Sequence, residues 1–185
     1  MCDAAKRSFA SRVHVILPHF GYSRQDKVHV PREPISAKVM ADLLRASGAD
    51  HIVSLQFHTD QTQAFFDVPV DNLNIKKIFA EYFKAKKLQD VVVISPDAGG
   101  AKNAKKFADH LGTPLALLHK TRPDHNVSQV THVVGDVKDK IALIIDDMAD
   151  TCGTLVRAVD LLVENGAREV YAAATHGVLS GEAVK

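Results

Sequence analysis

The segment IALIIDDMADTCGTL, residues 141–155, decides how the rest of the chain is interpreted. Its apolar run, Ile141–Ile145, is typical of a buried strand and ends at two adjacent carboxylates, Asp146 and Asp147. A third carboxylate, Asp150, opens a run of small and hydroxylated residues, after which helical spacing begins. Because strand, loop and helix in this order form the repeating unit of parallel α/β sheets, the segment predicts one such unit with acids at its turn.

Similar units follow one another along the chain. Short β-branched runs alternate with stretches in which apolar residues recur at helical spacing. This alternation predicts an α/β protein whose parallel strands are joined by right-handed helical crossovers. Strands are predicted at residues 12–17, 51–56, 91–95, 115–118, 141–145 and 170–175, and helices at 35–47, 74–87, 101–111 and 154–165.

The segment VPVDNLN, residues 68–74, is the best candidate for a domain boundary. It divides the chain into a partial first α/β domain, residues 1–71, and a more complete second one, residues 72–185. In open parallel sheets ligands bind beyond the carboxyl ends of the strands. The loops after the predicted strands are therefore the places to look for a site.

Composition excludes several classes of protein. The 185 residues contain 23 Lys and Arg against 22 Asp and Glu, and this balance argues against a protein whose main partner is nucleic acid or a membrane surface. The N-terminus MCDAAKRSFASR lacks the apolar core of a signal peptide, and the apolar runs are too short to span a bilayer. Because Cys2 and Cys152 cannot form a disulfide framework, we expect a cytoplasmic protein.

The loop Asp150–Thr154 has the composition of a phosphate site. It precedes a helix start, where backbone N–H groups and threonine hydroxyls can surround a phosphate. Asp146 and Asp147 would repel that phosphate unless they faced sugar hydroxyls or a divalent cation. The stretch therefore indicates a sugar phosphate as ligand. The alternative is an ordinary helix cap beside solvated acids.

A second loop, SPDAGGAK, repeats this arrangement. Gly99 and Gly100 stand before a helix start, and Asp97 is available for a metal ion. The alternative is a tight turn without a ligand, since the loop matches neither of the common glycine-rich nucleotide motifs. HExxH and CxxC patterns are also missing from the sequence, so His14, His51 and His110 are expected to be surface or strand residues.

Six segments together resemble the ribose-phosphate diphosphokinases, a branch of the type I phosphoribosyltransferase fold. They are GYSRQDK, PREPISAKVMADLLRASGADHI, FHTDQTQAFFDVPVDNL, VVISPDAGGAK, VGDVKDKIALIIDDMADTCGT and THGVLSG, in family order from about residue 12 to residue 183. The resemblance implies two phosphoribosyltransferase-like parallel-sheet halves with flanking helices, the first of them incomplete. It also implies a chain shortened at both ends relative to the family.

The resemblance also implies a role for each matching residue. Lys120 and Arg122 match the paired cations of a mobile catalytic loop, and the metal ligands match His58 and Asp97, with Asp67 and Asp71 as further acids. The ATP-binding residues match Arg24, Gln25 and Asp26. The ribose 5-phosphate site matches Arg122, Asp146, Asp147, Asp150, Thr151, Cys152, Gly153 and Thr154. The diphosphate loop matches Asp97, Ala98, Gly99 and Gly100.

The implied reaction transfers the diphosphoryl group of ATP to the anomeric hydroxyl of ribose 5-phosphate, with Mg²⁺ as cofactor. Its products are phosphoribosyl diphosphate (PRPP) and AMP, and the family forms dimers or hexamers. Two alternatives stay open: a noncatalytic regulatory subunit or inactive fragment, and a phosphoribosyltransferase that consumes PRPP. Gln56 and Asn103 replace the charged Asp and Arg of the family, which puts the strength of metal or phosphate binding in question.

Overall fold

The structure is a computed structural model that describes residues 1–124 and 127–184. Within these ranges, only the backbone is described from residue 120 to residue 131. The chain forms two compact units, Met1–Ile75 and Lys76–Lys185, each with its own β-sheet. The boundary expected after residue 71 falls inside a strand, Val70–Leu73, that pairs with the sheet of the first unit. That pairing explains why the first unit continues to Ile75.

The first unit contains a three-stranded parallel sheet in the order β1-β2-β3. Its elements are α1 (Cys2–Arg7), β1 (His14–Leu17), α2 (Ser36–Ala46), β2 (His51–Leu55), a 3₁₀ turn (Asp60–Phe65) and β3 (Val70–Leu73). Its core is built around three phenylalanines whose ring centroids are 5.3–5.8 Å apart: Phe20, Phe57 and Phe66. This aromatic cluster fixes the start of the loops that follow β1 and β2.

The second unit contains a five-stranded sheet in the order β6-β5-β4-β7-β8. Its strands are β4 (Val91–Ser95), β5 (Leu115–Asp124), β6 (Val127–Val134), β7 (Ile141–Ala149) and β8 (Glu169–Gly177). Its helices are α3 (Lys76–Ala85), α4 (Ala101–Leu111) and α5 (Gly153–Glu164). All pairings are parallel except that of β5 with β6.

Strand β4 lies in the middle of this sheet and is covered on both faces, as its continuous apolar run predicts. Val92 and Ile94 pack with Leu162 of α5 on one face. Val93 packs with Phe107 of α4 on the other, and all five side chains are at most 1% exposed. Burial on both faces holds the carboxyl end of β4 rigidly beside its neighbours.

The structure differs from the sequence-based prediction at several strands. Strand β7 continues through Asp146 and Asp147 to Ala149, because its second half pairs with β8. The stretch that carries Lys120 and Arg122, expected to be a mobile loop, instead extends β5, which pairs with the antiparallel strand β6.

Within the described ranges, no helix has the length and apolar composition that a bilayer span requires.

Candidate functional site

The carboxyl ends of β4 and β7 bring three carboxylates together in the second unit. Ile94 pairs with Ile144, so Asp97 follows β4 at the level at which β7 carries Asp146 and Asp147. The backbone N–H of Asp147 donates to Oδ1 of Asp146 over 2.8 Å. All three residues are partly buried. The structure thus places the acids at the sheet edge where ligands of parallel sheets bind.

Burial and neighbouring negative charge change the ionisation of one member of this cluster, Asp146. The pKa of Asp146 rises from 3.8 to about 7, first because the carboxyl is buried and then because of the hydrogen bond and the charge of Asp147. The charge of Asp97 adds to the same effect. A carboxyl that titrates near neutral pH can accept a hydrogen bond from a sugar hydroxyl or donate one to it. A nearby cation would relieve the repulsion.

Helix α5 begins with an open N-terminus beside this cluster. Its N-cap residue, Cys152, takes the left-handed conformation with φ of +60°, and its side chain does not cap the helix, since Sγ donates to the Asp150 carbonyl instead. Thr151, Gly153 and Thr154 are exposed, and a Cβ added to Gly153 would meet no atom within 4 Å. The predicted alternative, a helix capped by Asp or Thr side chains, is therefore wrong for α5. Its N–H groups and positive dipole end are oriented to receive an anion.

The Asp150 carboxylate is held by a residue that sequence reasoning did not single out. The Ser180 hydroxyl donates to Oδ1 of Asp150, and the Ser180 N–H donates to the Asp150 carbonyl over 3.1 Å. Ser180 lies 30 residues away, in the segment THGVLSG, which begins in β8 and continues beyond it. The family resemblance of that segment is the one sequence signal that points to Ser180.

The loop between β4 and α4 is organised by Asp97. Its Oδ1 accepts from the Gly100 N–H over 2.8 Å, and its carbonyl accepts from the Ser95 hydroxyl over 2.7 Å. A Cβ at Gly99 would lie 3.3 Å from Asp97 Oδ1, and one at Gly100 would lie 3.2 Å from Ser95 Oγ. The two glycines therefore leave room for Asp97, while Ala98 and Gly99 stay exposed.

The predicted ATP-binding segment of the first unit is tied to the segment that carries His58. The Thr59 hydroxyl donates to Oδ2 of Asp26 over 2.7 Å, although the two residues are 33 positions apart. Arg24 and Gln25 are exposed, and the Gln25 carbonyl accepts from the N–H of Ala37 in α2 over 3.2 Å. His58 is exposed directly after the buried Phe57.

Two further predicted acids of the first unit make ion pairs with protein side chains. Oδ2 of Asp67 lies 3.3 Å from Nη1 of Arg45 and 3.9 Å from Nζ of Lys38. Oδ2 of Asp71, on β3, lies 3.2 Å from Nε2 of His51. Among the described residues, no group of three or more His, Cys, Asp or Glu side chains is arranged to hold a metal ion. The metal assignment of both acids stays a prediction.

Lys120 and Arg122 lie in the part of β5 that pairs with β6. Their side chains, and His125 and Asn126 of the same stretch, lie outside the described residues. The backbone of β5 runs parallel to β4, with Leu117 opposite Ser95. The predicted catalytic cations therefore lie on β5, and the adjacent strand β4 ends at the loop that contains Asp97.

Comparison with known proteins connects these sites to a family. Residues 63–185 match the model of the phosphoribosyl transferase domain, and residues 1–48 match that of the N-terminal domain of ribose phosphate pyrophosphokinase. Ribose-phosphate pyrophosphokinases of Bacillus subtilis and Halalkalibacterium halodurans are 48% and 50% identical over 185 residues. The chain spans 58% of the length of each of them.

A solved structure agrees with the sequence comparisons. The crystal structure of phosphoribosylpyrophosphate synthetase from Mycobacterium smegmatis matches with a TM-score of 0.91 and 52% identity, over 99% of this chain and 60% of that one. This match confirms the predicted α/β fold with phosphoribosyltransferase-like parallel sheets. The chain belongs to the phosphoribosyl transferase domain family, and the segment ahead of that domain is similar to the N-terminal domain of ribose phosphate pyrophosphokinase.

Proposed function

We propose that the chain serves ribose-phosphate diphosphokinase activity, the transfer of the diphosphoryl group of ATP to the anomeric hydroxyl of ribose 5-phosphate. The products are PRPP and AMP. The names of the relatives that match along its whole length support this proposal. Since the chain spans only 58% of those relatives, binding of ribose 5-phosphate and complete turnover are separate claims with separate tests.

The open N-terminus of α5 beside the carboxylate pair is the observation that carries the proposal. A phosphate at the helix start would accept from the N–H groups of Gly153 and Thr154 and from exposed threonine hydroxyls. The sugar attached to that phosphate would then present its hydroxyls to Asp146 and Asp147. In our proposal the phosphate is held at the start of α5 and the hydroxyls at the end of β7, the preceding strand, and this combination suits a sugar phosphate.

Magnesium fits the oxygen donor atoms at the carboxyl ends of β4 and β7. Mg²⁺ takes oxygen ligands and is usually held by one or two carboxylates together with substrate phosphates, so it does not need a protein cage. Asp97 offers such a carboxylate, and a cation would reduce the repulsion from Asp147 and Asp97 that, after burial, helps to raise the pKa of Asp146. We assign Asp97 as the residue of this unit that would hold the ion, whose charge would neutralise the transferring phosphates, and His58 of the first unit stays a metal ligand predicted from the family resemblance. Asp67 and Asp71 would first have to leave their ion pairs.

The remaining roles concern positioning and charge. In our proposal Arg24, Gln25 and Asp26 orient ATP, and the hydrogen bond from Thr59 to Asp26 holds that segment in place. Lys120 and Arg122 supply positive charge at the transferring group. Phosphoryl-type transfer depends mainly on such positioning and electrostatic stabilisation. Cytoplasmic location and assembly into dimers or hexamers belong to the same proposal.

Turnover is tested by incubating the protein with Mg²⁺, ATP and ribose 5-phosphate and following AMP and PRPP together. We expect both to form in equal amounts. The variant Lys120→Ala should be slower by roughly 10²–10³-fold, the usual loss when an electrostatic stabiliser is removed. Lys84→Ala, which removes an exposed cation of α3, is the matched control and should keep the full rate. An undiminished rate in Lys120→Ala would refute the assigned role of that residue.

Substrate binding is tested separately by calorimetry with ribose 5-phosphate. The variant Gly153→Leu should fold normally, because a Cβ there meets no neighbour, yet its side chain would cover the helix N-terminus. We expect roughly a tenfold or greater loss of affinity, since hydrogen bonds to charged groups contribute about 1.5–3 kcal/mol each. Binding without turnover would favour the regulatory or fragment alternative. Unchanged binding in Gly153→Leu would contradict the phosphate site.

A further inference from the structure

Two histidines stand side by side on the sheet of the first unit, away from the residues discussed above except Asp71. His14 of β1 and His51 of β2 are register partners in adjacent parallel strands. Their Nδ1 atoms are 2.9 Å apart, and the rings are nearly perpendicular with centroids 5.1 Å apart. We propose that His14 and His51 form a binding site for a divalent transition-metal ion of the Zn²⁺, Ni²⁺ or Cu²⁺ type.

Asp71 prepares His51 to act as a ligand. Oδ2 of Asp71 lies 3.2 Å from Nε2 of His51, so the carboxylate favours the tautomer of His51 in which the proton is on Nε2. This contact leaves the lone pair of His51 on Nδ1, directed towards His14. A carboxylate behind a histidine, fixing its tautomer and ring orientation, is the arrangement that metal-ligating histidines usually show. Asp71 therefore acts as a positioning residue for His51.

The metal ion would replace the proton that lies between the two histidine rings. With the proton of His51 on Nε2, its Nδ1 can only accept, so without metal Nδ1 of His14 would donate the hydrogen that lies between the two rings. When a metal binds, His14 releases that proton from Nδ1 and takes one up from water on Nε2. This exchange is open to His14 because its side chain is exposed. Both rings are then neutral ligands, and the net number of bound protons is unchanged.

The distance between the two nitrogens suits a metal bridge. With metal–nitrogen distances of about 2.0–2.1 Å, two ligands at a right angle are about 2.9 Å apart, and two in a tetrahedron are about 3.4 Å apart. The observed 2.9 Å fits the right angle and needs an opening of about half an ångström for the tetrahedron, an estimate from the same bond lengths. Rotation of the exposed His14 ring can supply this opening. The remaining coordination positions would hold water, so the ion would exchange readily with metal ions in solution.

The chemistry of the ligands separates this site from the magnesium site. Imidazole nitrogen prefers zinc, copper and nickel, whereas magnesium takes oxygen ligands. Asp71 faces His51 from behind and is not a third ligand, and the described residues contain no group of three or more ligands arranged around one ion, so binding is expected to be reversible. An ion here would connect β1 to β2 and stabilise the first unit in proportion to its concentration. The proposal does not depend on the activity proposed above.

Calorimetric titration of the whole chain with Zn²⁺ and with Ni²⁺, in excess Mg²⁺, tests the site. His14→Asn and His51→Asn should each remove one binding event. Asp71→Asn should weaken that event by about tenfold or more, the usual effect of losing the carboxylate behind a metal-bound histidine. His132→Asn is the matched control, because His132 stacks on His119 in the second unit at a centroid distance of 4.7 Å.

The outcomes distinguish the proposal from its alternatives. A binding event that persists in His14→Asn, or that disappears in His132→Asn, overturns it. Thermal unfolding of each variant without metal checks the fold, and His14→Asn should be nearly neutral because the side chain is exposed. Metal should raise the unfolding temperature of the wild type and fail to raise that of His14→Asn. Equal rises in both proteins would also overturn the proposal.

Discussion

Replacing Asp146 by Asn should stabilise the second unit, and by an amount that depends on pH. The carboxyl of Asp146 is buried next to Asp147 and has its pKa raised from 3.8 to about 7. Asn keeps the oxygen that accepts from the Asp147 N–H over 2.8 Å and replaces the protonated carboxyl with a neutral donor. The substitution therefore removes a buried charge while it keeps the local hydrogen bonds.

The pKa shift sets both the sign and the size of the effect. Between pH 3.8 and about 7 the folded chain holds a proton that the unfolded chain has released, so the free energy of unfolding falls as the pH rises. The fall is about 1.4 kcal/mol per pH unit, or roughly 4 kcal/mol over the whole window. The amide side chain of the variant cannot titrate. The free energy of unfolding of Asp146→Asn, relative to that of the wild type, should therefore increase from about pH 5 to about pH 7 and stay constant at higher pH, as linkage predicts.

Urea unfolding at pH 5.5, 6.5, 7.5 and 8.5 measures this difference directly, with the buffers chosen at roughly unit steps across the window in which linkage predicts the change. Asp136→Asn is the matched control in the same unit. Lys140 and the Lys138 N–H lower the pKa of Asp136, so that variant should lose stability by an amount that stays constant over this range. A constant difference for Asp146→Asn, or one that shrinks as the pH rises, would refute the reasoning.

Two other predictions concern packing and backbone conformation. Phe107→Ala should lower the free energy of unfolding by about 3–5 kcal/mol because Phe107 is fully buried, whereas Val163→Ala, on the exposed face of α5, should change it by less than about 1 kcal/mol in urea unfolding. Cys152→Gly should be neutral or stabilising by up to about 1 kcal/mol, and Cys152→Val should cost about 1–2 kcal/mol, because φ is +60° there. Loss of turnover with intact ribose 5-phosphate binding in Cys152→Gly would contradict the assignment of Cys152 to the phosphate site.

Sequence reasoning was most accurate where one short segment carries its own signals. The strand Val91–Ser95 and the helix Ala101–Leu111 have the predicted bounds. The apolar run of the strand is buried on both faces, and Gly112 ends the helix with φ of +73°. Both signals are local, because β-branched residues favour strands and glycine readily adopts the left-handed conformation.

Sequence reasoning was least accurate where pairing with a distant segment decides the structure. Val70–Leu73 and Val127–Val134 are strands because β2 and β5 offer them unpaired backbone groups. The extension of β7 through Asp146 has the same cause, since β8 pairs with it. A polar or acidic residue is a poor strand former in isolation, but backbone hydrogen bonds with a neighbouring strand outweigh that preference.

The sequence by itself determined the α/β class, the phosphate-binding composition of Asp150–Thr154 and the family resemblance, because all three are patterns of residue type and order. Only the tertiary structure decided which groups meet: Ser180 on Asp150, Thr59 on Asp26, and Asp97 beside the pair of acids on β7. The first two contacts join residues at least 30 positions apart. Their distances depend on how strands order themselves in a sheet, and no local signal in the chain records that order.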